Sequence, residues 1–305
     1  MIATPIIKVG FCVSYDWELL KISLPRIYAH ADLICLAVDK DRKSWMGNPY
    51  SFNDKDFYDF VSTIDWDKKI ILYEDCFSLP ALNARQNCNR HRMLIAEKMG
   101  KGGWHIQVDS DEYFLDFGSF VDELKKINRH PTGLEKPLNV CACLIPLIKK
   151  TSEGYLYVDF KNSMPENIPF ATTFPDYQRA RQNDHFNRLS PHYVIHETWA
   201  RSEEELWYKI NNWGHAAEEL AEKNRKLSYF TLWKSLDENN YQYIDNFHPA
   251  SSKVWPALRY CEGRSIDEFL ANFKLPEPPL SKFQLYLKNN RNVARVKALL
   301  NRIFE

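Results

Sequence analysis

The chain has 305 residues, 45% of them apolar and 14% aromatic, enough for one large or two modest domains with a sizeable core. Forty basic residues balance forty acidic ones. That balance excludes a global field drawing the protein to nucleic acid, which is not expected as a partner, and makes any polyanion binding local.

The cysteines, Cys12, Cys35, Cys76, Cys88, Cys141, Cys143 and Cys261, are odd in number, and several lie in apolar, strand-like runs. They read as reduced core thiols rather than a disulfide framework. Cys141-Ala142-Cys143 lacks a second pair at zinc-site spacing, which speaks against a structural zinc. Residues 1–9 are too short and too uncharged at their start for a signal peptide, and no stretch approaches the roughly 20 apolar residues of a membrane span. The expected compartment is the cytoplasm.

In chain order, residues 6–14 (IIKVGFCVS) form a β-branched and aromatic run of the kind buried on both faces of a sheet. Asp16 is expected to open a helix over 17–28, and residues 31–39 (ADLICLAVD) make a second buried strand ending in an acid. Residues 40–68 read as a loop and a short helix, and 69–73 as a third strand. Residues 84–99 (ARQNCNRHRMLIAEKM) read as a helix whose polar start faces a site. A strand then runs from Trp104 into Asp109-Ser110-Asp111-Glu112. Strand and helix alternate four times in the first 115 residues, which predicts an α/β, Rossmann-like sheet.

Further along, residues 117–127 read as a helix capped by Ser119, 140–147 as a strand and 155–160 as its hairpin partner. A polar, proline-punctuated region over 162–191 precedes a strand at 192–196 (HYVIH) and one long helix over 202–227, opened by a Ser202/Glu205 capping box. Past the proline cluster at 275–279, a basic helix over 282–304 carries Lys282, Lys288, Arg291, Arg295, Lys297 and Arg302. It is either a solvated face or a contact with a membrane surface.

Asp109 and Asp111 end a buried strand, and carboxylates one residue apart there can hold Mg²⁺ or Mn²⁺ against a diphosphate. Asp39 ends the second strand, where an acid either accepts from a ribose or serves as a turn residue. Neither a Gly-x-Gly-x-x-Gly nor a P-loop motif is present, so a bound phosphate is expected to need the cation. Arg85, Asn87, Arg90 and Arg92 gather near a helix start suited to a diphosphate, Arg85 and Arg90 being favoured over a solvated face. His196 ends its strand beside Glu197 and is either structural or a third metal ligand. Trp199, Arg201, Trp213 and His215 either line a sugar subsite or pack in the core.

The order of these parts resembles the glycosyltransferases of the GT-A fold, close to bacterial family 2-like enzymes that build lipopolysaccharide or capsule. The resemblance covers residues 6–220 and is carried by VGFCVSYDW (9–17), LAVDKD (36–41), the helix at 84–99, WHIQVDSDEYF (104–114) and HETWARSEEELWYKINNWGH (196–215). It implies a catalytic domain over 1–250, with a nucleotide-binding half over 1–115 and an acceptor half over 116–250. A C-terminal helical extension would follow over 251–305. It further implies that Ser14, Tyr15 and Asp39 surround the nucleotide, that Asp109 and Asp111 engage ribose and metal, and that His196 approaches the metal. The implied reaction is inverting transfer of a sugar from a nucleotide-sugar donor, a UDP-sugar being favoured, to a hydroxyl of a glycan or glycolipid acceptor. The base that deprotonates this acceptor is expected at Asp184, with Glu197 and Asp176 as alternatives. The basic C-terminal helix would touch the inner membrane peripherally. Two rival readings are a sugar nucleotidyltransferase, disfavoured because no glycine-rich basic loop follows the first strand, and a non-catalytic carbohydrate-binding protein that keeps the fold.

Overall fold

The computed structural model describes residues 6–161, 164–214, 222–248, 255–276, 280–294 and 296. Its centre is a mixed ten-stranded sheet flanked by helices, an α/β arrangement compatible with a Rossmann-like fold. β1 (Ile7–Val13), β2 (Leu33–Asp39), β3 (Ile70–Asp75) and β4 (Trp104–Asp109) run parallel in the order β3-β2-β1-β4. Every residue of β1 is buried, as expected of a mostly apolar parallel strand covered on both faces, and Lys8, its one charged residue, donates to the carbonyls of Gly100 and Lys101. α1 (Leu20–Tyr28), α2 (Asp54–Ile64) and α3 (Ala84–Met99) occupy the connections. Asp16 does not cap the first of these: a 3-10 turn over Trp17–Leu19 intervenes, and the Asp16 carboxylate turns to Arg201.

The expected Trp104–Phe114 run is divided. β4 stops at Asp109, and β5 (Glu112–Phe114) pairs with a different strand. α4 (Phe117–Ile127) follows, burying the stripe Phe117, Phe120, Val121 and Leu124. Its cap is Asp116 rather than Ser119: the Ser119 backbone N–H and hydroxyl both donate to the Asp116 carboxylate.

The second half adds β6 (Leu138–Lys150), β7 (Gly154–Asp159), β8 (Glu166–Thr172) and β9 (Phe186–His196). The stretch read as irregular over 162–191 thus contains all of β8 and the start of β9. Two prolines of this proline-punctuated stretch fall inside the strands, and each lies beside a register shift, where a missing backbone donor is tolerated. Pro169 pairs at the shift between Val140 and Cys141, and Pro191 lies within the shift between Cys141 and Cys143. Ser190 Oγ donates to the Cys141 carbonyl at 2.7 Å across this irregularity.

The long helix expected over 202–227 is divided too. α5 (Glu203–Asn212) ends at Asn211-Asn212, whose amides turn back on the carbonyls of Trp207 and Tyr208, and α6 (Lys223–Ser235) begins separately. The Ser202/Glu205 capping box is present as read. The stretch taken for a helical extension begins instead with a strand, β10 (Ala257–Glu262), which completes the sheet against β7 over six residue pairs. α7 (Ile266–Asn272) then packs Phe269 against Tyr155 and Tyr157, and α8 (Lys282–Lys288) follows. Of the basic residues assigned to that last helix, Arg295, Lys297 and Arg302 lie outside the described residues, as does His215. All seven cysteines are free thiols, and no helix among the described residues is long and apolar enough to cross a membrane.

Candidate functional site

The chain steps outward from β1 through β2 to β3 and then crosses back to β4 on the other side of β1, which opens a crevice at the carboxyl ends of β1 and β4. A cavity of about 370 Å³ occupies this place. Ser14 and Tyr15 line it from the end of β1, and Asp109, Ser110 and Asp111 from the end of β4. Its far side is built by β6, β8 and β9. The β4–β8 ladder holds only at His105/Thr172 and Ile106/Ala171. Beyond that the two strands part, and the cavity fills the wedge.

The two aspartates meet different surroundings. Arg92 Nη2 donates to both Asp109 oxygens, at 2.7 and 3.0 Å, from the inner face of α3. Asp111 Oδ2 accepts from Lys209 Nζ and Arg201 Nη2, each at 2.6 Å, with His196 Nε2 at 3.4 Å. Burial pushes the Asp111 carboxyl up, but Lys209, His196 and Arg201 outweigh it and hold the group well below the usual carboxylate range. Asp109 is moved the same way: burial raises it, and Arg92 and Arg181 bring it below its ordinary value. Arg201 also donates to Asp16 at 3.0 Å. Beneath them Arg181 forks onto the fully buried Glu112, which also accepts the Asp109 backbone N–H at 2.9 Å. Glu112 thereby fixes the turn that presents both aspartates.

Lys209 reaches the cavity because α5 is clamped to the loop after β2. Asn212 Oδ1 accepts from Ser44 Oγ at 2.7 Å and Asn48 Nδ2 at 3.0 Å, and Tyr208 donates to the Pro49 carbonyl. On α3, Arg85, Cys88 and Arg92 line the cavity at helical spacing i, i+3, i+7. Burial raises the Cys12 and Cys88 thiols, which favours their protonated form.

Several expected site residues stand elsewhere. Asp39 accepts backbone N–H groups from Asp41, Lys43, Phe77 and Ser78, so its carboxylate is a loop organiser. Arg90 points away from the cavity and donates to the carbonyls of Cys76 and Phe77. Trp199 is 2% exposed and packs on Trp213 and Tyr229, the core alternative for this residue, whereas Trp213 lines the cavity. Arg201 lies behind Asp111 rather than at a sugar subsite. Asp184, expected as the base, is an open surface residue 3.7 Å from Arg179. Asp176 sits outside the cavity beside His185 and Gln178. Glu197 is buried and accepts from the Tyr113 hydroxyl at 2.6 Å, its carboxyl raised by burial. Asp176 and Asp184 flank the stretch 179–182 of the β8–β9 connection that does line the cavity, and Glu197 follows His196 on the opposite strand face.

By donor type, Asp109, Asp111 and His196 suit a divalent cation, hard carboxylate oxygens with one imidazole. Both Asp109 oxygens already accept from Arg92, and Asp111 Oδ2 from Arg201 and Lys209, so a cation at these atoms competes with the donors. Among the described residues, no group of three or more His, Cys, Asp or Glu stands arranged for a metal.

The chain matches no family model and no curated protein.

Proposed function

We propose that the protein is a GT-A-type glycosyltransferase that moves a sugar from a nucleotide-sugar donor, a UDP-sugar by preference, to a hydroxyl of a glycan or glycolipid. The observation that carries this reading is the switch-point cavity, where Asp109 and Asp111 meet the convergent cations Arg92, Arg201 and Lys209. Ser14 and Tyr15 lie where the nucleoside enters, Tyr15 being packed edge-on to Tyr208 at 4.8 Å. The cationic side chains are suited to receive the negative charge that develops on a departing diphosphate. Mn²⁺ or Mg²⁺, held by Asp109, Asp111 and His196, would add positive charge at the same place.

Trp255 and His248, on the far side of the cavity, offer ring faces for a sugar acceptor. α8 exposes Phe283 and Tyr286 beside Lys282 and Lys288, and on this face we place peripheral contact with an anionic membrane.

The test is an assay of nucleoside diphosphate release from a panel of nucleotide sugars, with and without glycan acceptors. Acceptor-dependent release from one donor class is the expected result. Release of pyrophosphate from a nucleoside triphosphate and a sugar phosphate would replace this reading with nucleotidyl transfer.

A further inference from the structure

Inverting transfer needs a carboxylate on the side of the anomeric carbon away from the diphosphate, and none of the three acids expected from the sequence reaches the cavity. Resting on the glycosyl-transfer reading, we infer that Glu166 is the general base that takes the proton of the acceptor hydroxyl.

Glu166 opens β8 and lines the cavity together with Ile168, Leu144, Pro146 and His196. The sheet register explains how they share one surface. Glu166 is paired with Leu144, and Pro146 with His196. Ile168 and Pro146 each lie two residues from a member of the first pair, so all five side chains project from the same face of the sheet. The resulting wall is apolar apart from Glu166 and His196. β8 runs antiparallel to β4, which puts its first residue at the same sheet edge as Asp109. Where the two strands part, Asp109 and Glu166 look into the wedge from opposite sides.

The other cavity acids belong to the opposite wall, where Asp16 accepts from Arg201, Asp109 from Arg92, and Asp111 from Arg201 and Lys209. Trp255 Nε1 donates to Glu166 Oε1 at 2.7 Å and orients the carboxylate. In the step, the acceptor oxygen bonds to the anomeric carbon as its proton passes to Glu166. The bond from that carbon to the diphosphate oxygen breaks, and its electron pair leaves with the nucleoside diphosphate. Trp255 is a positioning residue.

The experiment compares wild type, Glu166→Gln, Glu166→Asp and Trp255→Phe for donor binding by calorimetry and for transfer against pH. In Glu166→Gln, donor affinity should stay within about twofold, while transfer falls about a hundredfold or more and the acid limb of the kcat profile disappears. Glu166→Asp should restore that limb with part of the rate, which separates lost chemistry from lost folding. Trp255→Phe should move the limb to higher pH, because removing a hydrogen bond to the carboxylate disfavours its charged form. Transfer by Glu166→Gln within threefold of wild type, with the acid limb intact, overturns the assignment alone. A wild-type chain that binds no nucleotide sugar overturns the reading of the site and the assignment with it.

Discussion

Asp109 and Asp111 are one residue apart, but their exposures differ: the Asp109 side chain is 26% accessible and that of Asp111 4%. Asp109 is therefore the one that faces an incoming ligand, and Asp111 the one that ties Lys209 and Arg201 together. Replacing Asp111 would take this carboxylate from the buried Lys209 and leave Arg201 with Asp16, and removing one partner of a buried pair costs about 3–5 kcal/mol, so loss of activity there would confound folding with chemistry. Asp109→Asn is the cleaner probe. Two histidines give the molecule a separate sensitivity to acid. His91, stacked on Phe77 at 3.8 Å and accepting from Trp45 Nε1, is lowered by burial to about 3, and His105 by burial to about 4. Both values lie below the unfolded value of about 6.5, so the unfolded chain takes up protons first and stability falls as pH drops below about 6.5. Urea unfolding should show the protein roughly 3–4 kcal/mol less stable at pH 5 than at pH 7 from these two residues. Equal midpoints at the two pH values would contradict it.

Elements decided which residues could be read in advance. The four βα units were legible because parallel strands buried on both faces are continuous apolar runs, and the Asp-x-Asp was legible because it ends one of them. Arg92 was named within its cluster but passed over in favour of Arg90. The spacing held the answer: Arg85, Cys88 and Arg92 fall on one helical face, while Arg90 falls on another. Arg85→Ala should therefore weaken nucleotide binding with little change in melting temperature. Arg90→Ala should do the reverse, lowering the melting temperature through the freed Cys76–Phe77 loop while affinity holds. The opposite pattern would show that the face is misassigned. Lys209 and Glu166 were not legible. Lys209 stood within the 196–215 motif without a role of its own, and its place follows from Asn212 meeting Ser44 and Asn48, far away in sequence. Glu166 stood in a segment that its prolines made look irregular, since a bulge that tolerates proline leaves no local pattern.

At the scale of the whole molecule, a parallel half and an antiparallel half share one sheet and separate only at its upper edge. The parallel half supplies the turn of acids and the face of α3. The antiparallel half supplies the wall with Glu166, while α5 folds back across the seam to deliver Lys209. β10 closes the far side of the sheet from a stretch that the sequence had suggested was helical. In the proposed glycosyl-transfer reading, this division puts donor and acceptor chemistry on opposite walls of one cavity. Calorimetric titration of the full chain with UDP-, GDP-, ADP-, CDP- and dTDP-sugars, in chelator and in Mn²⁺, tests that account most directly. It predicts one-site binding of one donor class, weakened about tenfold or more in Asp109→Asn. Heat-silent titrations with every donor in both conditions, or equal affinity in wild type and Asp109→Asn, would contradict it.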